Sequence, residues 1–169
     1  MPNYAINNIL YNAFELGDTR KSKWINSITV LGSAYLYPYK YKSRTNNNAE
    51  FEMVLRLAEQ YLIRAEARAQ QNNTSQAKED LDVIRLRAGL TGTTATDKNS
   101  LLLAIEHERQ VELFCEWGHR WLDLKRTNRS TAIIGTEKPA GWQDTDVLYP
   151  IPQSAVSTNS KLSQNKGYH

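Results

Sequence analysis

The chain has 169 residues, with 21 basic and 18 acidic side chains and a net charge of +3; that is enough for one domain with a buried core, and too small a charge excess to indicate a nucleic-acid partner. Its mean hydropathy is −0.60, and it holds no apolar run long enough to cross a membrane as a helix. The single cysteine, Cys115, allows no internal disulfide.

The opening MPNYAINNILYNAFELGD has no basic region followed by an uninterrupted apolar core, so it does not read as a signal peptide. Ile6, Ile9, Leu10 and Ala13 follow the spacing of a short amphipathic helix, which Gly17 ends. Asp18 and Arg20 are placed for local pairing in the turn that follows, a structural rather than ligand-binding role. From Trp24 to Lys42 the sequence changes in kind. Tyr35, Tyr37, Tyr39 and Tyr41 alternate, so in an extended strand all would point to one side. Pro38 restricts this stretch to an edge strand or an irregular extension. The aromatic row either covers a helix, the favoured reading, or presents rings to sugar C–H faces. Residues 43–49 read as a polar loop.

Phe51, Val54, Ala58, Tyr61, Leu62, Ala65 and Ala69 form a helical stripe ending near Gln71. A second stripe, Ala77, Leu81, Ile84 and Ala88, runs to Gly89, which suits a C-terminal cap. So short a turn makes the two helices antiparallel. The pair has the period of a tetratricopeptide repeat without its W-x2-L-G-x2-Y spacing. Residues 89–100 read as a mobile connector, with Ser100 or Asn99 capping the next helix.

That helix carries EHERQVELFCEWGHRWLDLKR, residues 106–126. At about 100° per residue, Glu108, Arg109, Glu112 and Glu116 fall in one sector, opposite Val111, Leu113, Phe114, Cys115 and Trp117. Leu101 and Ile105 project onto the acidic sector, which predicts a helix contacted on more than one side. Glutamates so spaced repel each other, and Arg109 and Arg120 are the expected compensating charges. Gly118 is expected to close this helix before a second piece, from His119 to Arg126, turns Trp121, Leu122 and Leu124 inward, with Lys125 and Arg126 near its C-terminal dipole. Cys115 is expected in the core as an inert residue. Beyond Arg126 the chain reads as irregular, with Trp142 either a lid over the core or an exposed platform. Pro150 and Pro152 extend the tail, which Leu148, Ile151, Val156 and Leu162 are expected to anchor.

Glu116-x-x-His119 matches one half of a helical-bundle metal site, but no second copy exists, and the histidines match no zinc spacing. No metal or cofactor is expected. The abundant carboxylates, including Asp123, are interleaved with arginine and tryptophan, which suits a buried ion-pair network better than a hydrolytic pair across an open cleft. No catalytic residue is assigned. Glu112→Ala or Arg120→Ala is expected to impair folding rather than a selective function.

ERQVELFCEWGHRWLDLKR closely resembles the signature of the SusD/RagB family, roughly ERR-x-ELxxEGHRWxDLxR. LRLAEQYLIRAEARA at 55–69 and LYPIPQSAVSTNSKLSQNKGY at 148–168 support the resemblance, and FELGDTRKSKW resembles the family's GDxR turn. The chain departs from the family ending at Ala155, usually acidic, and at Ser160 and Lys166, usually proline. The resemblance implies an all-α fold of antiparallel helix hairpins with tetratricopeptide-like packing, long irregular loops and a few short extended segments. In it, Glu108, Arg109, Glu112, Gly118, His119, Arg120, Trp121 and Asp123 are the structural motif. It implies that residues 1–169 are the C-terminal region of a longer lipoprotein on the cell-surface face of the outer membrane, held there by a lipid anchor outside this chain. Its implied activity is non-catalytic binding of oligosaccharides and their delivery to a SusC-like TonB-dependent transporter. Family ligand contacts lie in variable loops, so no binding residue transfers by position. Trp24, Tyr35, Tyr37 and Trp142 are the ligand-binding candidates, on chemistry and placement alone. The alternatives are a helical-repeat interaction scaffold, a peptide-binding relative and a glycan-processing enzyme.

Overall fold

The computed structural model describes residues 4–43 and 50–168. The expected polar loop at 43–49 therefore lies, apart from Ser43, outside the described residues, as does His169. The chain forms two compact units, Met1–His119 and Arg120–His169. It is mostly helical, as the sequence implies, and the described residues include a two-stranded sheet.

In the first unit, α1 (Asn8–Ala13) starts at Asn7, whose side chain accepts the Leu10 N–H at 2.9 Å. Ile6 and Phe14 at its flanks are buried, whereas Ile9 is exposed. α2 (Thr19–Trp24) is capped in the same way by Asp18. The chain then enters an antiparallel hairpin of β1 (Ile25–Val30) and β2 (Ser33–Pro38), in register from Ile25 opposite Pro38 to Val30 opposite Ser33. The alternating tyrosines read as an edge strand or an irregular extension, and β2 supplies the strand for Tyr35 and Tyr37. Leu31 and Gly32, at φ 49° and 81°, turn the chain between β1 and β2 in the left-handed conformations that two-residue hairpins use. Pro38 sits at the end of the ladder, where its missing N–H does least harm.

α3 (Leu57–Gln70) and α4 (Thr74–Arg87) form the expected antiparallel pair. α3 starts later than its stripe implied, leaving Phe51 and Val54 exposed ahead of it. Arg56 is extended, at φ −125° and ψ 139°, and its side chain is drawn away to Glu112 and Glu116, far along the chain. Both helices close alike. Asn72 and Gly89 are left-handed, and Asn73 and Leu90 donate back to Arg68 and Arg85 carbonyls at 2.8 and 3.0 Å. Gly89 is also closely approached: a Cβ there would stand 3.0 Å from Thr19 Cγ2.

The connector after Gly89 is tied down, contrary to the expectation of mobility. Leu90 is buried, Thr93 N–H donates to Asp82 at 2.6 Å, and the Thr91 carbonyl accepts from Arg85 at 3.1 Å. α5 (Lys98–Glu112) is capped by Asp97, not by Asn99 or Ser100 as expected; Ser100 serves as the reciprocal partner in a capping box. Ala58, Leu62, Ala65 and Ala69 pack with Ala77, Leu81, Ile84, Leu101 and Ile105 in one core cluster. At the other end of α5, Val111 and Phe114 join Ile6, Phe14 and Ile25 in a second. The central helix is thus enclosed on more than one side.

α5 stops at Glu112, earlier than Gly118 had suggested. Its last carbonyl, Glu112 O, accepts from Lys40 Nζ at 2.8 Å and Arg56 Nη2 at 2.9 Å, so two cations close the helix end. Residues 113–118 form turns, with Cys115, Trp117 and Gly118 all left-handed, at φ 55°, 43° and 72°. This reverses two expectations. Cys115 is exposed rather than in the core, and Trp117 is exposed as well.

The second unit carries α6 (His119–Arg126) from Arg120 onward, then α7 (Ser130–Glu137), a 3-10 turn at Asp144–Val147 and α8 (Gln153–Thr158). Leu124 is buried as expected, but Leu122 is exposed. α6 ends at left-handed Asn128, with the Arg129 N–H on the Leu124 carbonyl at 2.8 Å. α7, the 3-10 turn and α8 lie in stretches that read as irregular or extended. The tail is held by amides more than by its apolar residues: Leu148 is exposed, while the Gln164 side chain accepts from Ile151 N–H at 2.7 Å and donates to Ile151 O at 2.8 Å. Asn165 Nδ2 likewise donates to the Tyr149 carbonyl, and Tyr168 Oη to that of Leu148.

Candidate functional site

Glu108 and Glu112 stand one turn apart on α5 and are both fully buried, at 0% exposure. Charges so placed must be neutralised by neighbours. Arg20 leaves α2 to donate to Glu108 at 2.6 Å and Glu112 at 2.9 Å, and its other edge pairs with Asp18 at 2.8 Å. Arg56 donates to Glu112 at 2.7 Å and lies 2.9 Å from Glu116. Arg87 reaches Glu112 at 2.6 Å, and Lys40 reaches Glu116 at 2.6 Å. Arg85 binds Glu15 at 2.6 Å and touches Glu108 at 3.4 Å. Five cations, Arg20, Lys40, Arg56, Arg85 and Arg87, thus meet five acids, Glu15, Asp18, Glu108, Glu112 and Glu116.

The protonation behaviour follows from this packing. Burial pushes the Glu112 carboxyl up, but the hydrogen bonds from Arg87, Arg56 and Arg20 prevail and hold it below the ordinary value. At Glu108 burial wins over Arg20 and Arg85, and its pKa is raised. Burial also brings Lys40 down to about 8, against the pull of Glu116. Its ammonium sits 4.2 Å above the Phe114 ring and 4.8 Å above Trp24.

Cations from distant segments join the cluster. Glu112 is served by Arg20, Arg56 and Arg87, all from outside its own helix. Glu116 lies beyond the helix end and pairs with Lys40 and Arg56. His119, its formal partner in a metal motif, instead has Nδ1 3.7 Å from Glu59. Lys40, Arg56, Arg85 and Arg87 went unrecognised because nothing in local periodicity marks a cation whose partner is far away in sequence.

Of the four aromatic candidates, Trp24, Tyr35 and Tyr37 belong to the first unit and Trp142 to the second. Trp24 packs with Phe114 at 6.4 Å between ring centroids and is overlaid by Lys40. Tyr37 is buried, at 8% exposure, with the Tyr39 ring edge-on at 6.0 Å. Tyr35, on the same strand nearer the turn, is 47% exposed. In the second unit, Trp142 is half-buried and packs edge-on to Trp121 at 6.1 Å, and Tyr149 meets Trp121 at 6.2 Å. Trp142 fits because position 135 is glycine; a Cβ there would come within 3.2 Å of its Cδ1. Among the described residues, the indole nitrogens of Trp121 and Trp142 are buried without an acceptor.

Residues 10–168 match the sequence profile of the SusD family. The starch-binding protein SusD of Bacteroides thetaiotaomicron is 34% identical over 122 residues, covering 68% of this chain and 21% of that protein. A SusD-like protein of Formosa agariphila is 32% identical over 125 residues, covering 69% of this chain and 24% of its own length. Among solved structures, a laminarin-binding SusD-like protein is 28% identical with a TM-score of 0.70, over 97% of this chain and 38% of that one.

Proposed function

The chain belongs to the SusD family, and from that premise we propose that it serves non-catalytic capture of oligosaccharides, as the C-terminal region of a longer protein. It spans about a quarter or less of the two relatives matched in sequence, so the activity proposed is that of the whole polypeptide. The observation that carries the reading is the match to relatives named for starch and laminarin binding. The pairing of Glu108, Glu112 and Glu116 with cations supports a structural rather than hydrolytic use of the motif. The full protein would stand on the outer-membrane surface through a lipid anchor and pass its ligand to a SusC-like TonB-dependent transporter.

Within this chain, exposure favours Tyr35 as a sugar-facing ring, whereas Trp24, Tyr37 and Trp142 are engaged in packing against other rings. The test is calorimetric titration with laminarin and starch oligosaccharides, with chromatography of the sugars afterwards. Saturable heat without shortened products is expected, and Tyr35→Ala should weaken binding about tenfold. Product release would replace this reading with that of an enzyme. A folded protein that binds none of these sugars would favour the helical scaffold.

A further inference from the structure

From Trp24 to Tyr39 the chain carries no charged side chain, although 23% of its residues are charged. That run contains the whole β1–β2 hairpin. Exposed strands normally carry lysines or other charges that discourage further strands from pairing with them. Here the polar side chains of the hairpin are a carboxamide and hydroxyls only.

The two faces of the hairpin differ. Opposed residues of an antiparallel pair share a face, and successive residues alternate. Ile25 and Leu36 therefore lie on one side, where both pack in the second core cluster. The other side carries Asn26, Ile28, Val30, Ser33, Tyr35 and Tyr37. Tyr37 is buried, with the Tyr39 ring edge-on at 6.0 Å, whereas Tyr35 is 47% exposed and has half-buried Ile28 directly opposite. These two make an apolar floor. Its polar rim is Asn26, diagonal to Tyr35 at roughly 7–8 Å, and Ser33, two residues along the strand, both exposed. Asn26 Oδ1 accepts the Ser27 N–H at 2.8 Å, which fixes the carboxamide and leaves Nδ2 as a donor. Among the described residues, neither Asn26 Nδ2 nor the Ser33 or Tyr35 hydroxyl has a hydrogen-bond partner. The hairpin is fastened at its base, the Ile6 N–H donating to the Leu36 carbonyl and the Tyr39 N–H to that of Trp24, each at 2.7 Å, so little entropy is lost when it binds.

A hexose needs an apolar surface for its C–H face and neutral donors and acceptors for its hydroxyls. A carboxylate or sulfate brought here would lose water without gaining a cation from the hairpin. We infer that this face of the hairpin seats a chain of uncharged hexoses, with Tyr35 as the stacking ring and Asn26 as the positioning residue that donates to a sugar hydroxyl beside it. The inference rests on the proposed capture function and adds to it the charge class of the ligand and the residue that orients it.

The test is calorimetric titration with laminarin oligosaccharides, starch oligosaccharides and oligogalacturonate. A neutral series should bind, and oligogalacturonate at least about tenfold more weakly. Asn26→Ala should weaken neutral-sugar binding about fivefold while the melting midpoint moves by less than about 2 °C, and Asn26→Gln, which restores a donor, should recover part of the loss. Thr29→Val, on the opposite face, should change affinity less than about twofold. Oligogalacturonate that binds as tightly as the neutral sugars overturns the inference. So does a concentration-dependent dimer that Tyr35→Ala dissolves, which would give the face to a second copy. Neutral-sugar binding that Asn26→Ala and Tyr35→Ala both leave intact removes the inference and keeps the proposed function, and absence of binding by all three sugars removes both.

Discussion

Glu112 stays ionised although fully buried because Arg20, Arg56 and Arg87 all donate to its carboxylate. Replacing it with glutamine removes the buried negative charge that Arg20, Arg56 and Arg87 share, and Glu112→Gln should lose about 3–5 kcal/mol of stability at neutral pH, read by urea denaturation. Because its folded-state pKa is depressed, that contribution is present above its ordinary pKa of 4.5 and lost as pH falls through the lower folded value. Glu108 has the opposite sign. Its pKa is raised by burial, so its ionisation opposes folding, and Glu108→Gln should lose less than about 1.5 kcal/mol. Lys40 has a folded pKa of about 8 against an ordinary 10.5. Between those values the unfolded chain holds more protons, so stability from this group rises with pH. The melting midpoint of the parent should therefore gain on that of Lys40→Met across that interval, and a loss would contradict the assignment.

Two turns test the elements. Leu31 is fully exposed and left-handed at φ 49°, a conformation asparagine tolerates better, so Leu31→Asn should stabilise the hairpin by roughly 0.5–1 kcal/mol in thermal denaturation. Gly89→Ala should lose about 1–3 kcal/mol, since both φ 84° and the approach of Thr19 oppose a side chain. Where the sequence was legible, periodicity was uninterrupted: α3, α4 and the enclosed sides of α5 follow from apolar spacing and from alanines that admit close packing. Helix ends were harder to read. Gly118 was a plausible stop, yet the stop is made at Glu112 by Lys40 and Arg56, whose positions in sequence carry no sign of it. The hairpin was hidden because Leu-Gly is a weak turn signal beside Asn-Gly. The motif was readable as an ion-pair network, but Arg20, Arg56 and Arg87 were not readable as partners of Glu112, because each comes from another segment.

Among the described residues, the cluster sets five acids against five bases, and Glu108 and Glu112 at its centre are fully buried. The melting midpoint should therefore move by less than about 3 °C between roughly 0.05 and 0.5 M sodium chloride, where a fold resting on surface pairs would weaken visibly. The order of these residues along the chain matters as well. Arg20, Lys40, Arg56, Arg85 and Arg87 all precede Glu108, Glu112 and Glu116. On a ribosome Arg20 meets Glu112 only after 92 further residues, roughly 5–18 s of translation at ~5–20 residues per second. Until then Arg56 and Arg87 lack the carboxylate they share, so the joint that fastens the first unit closes only when translation of that unit is nearly complete.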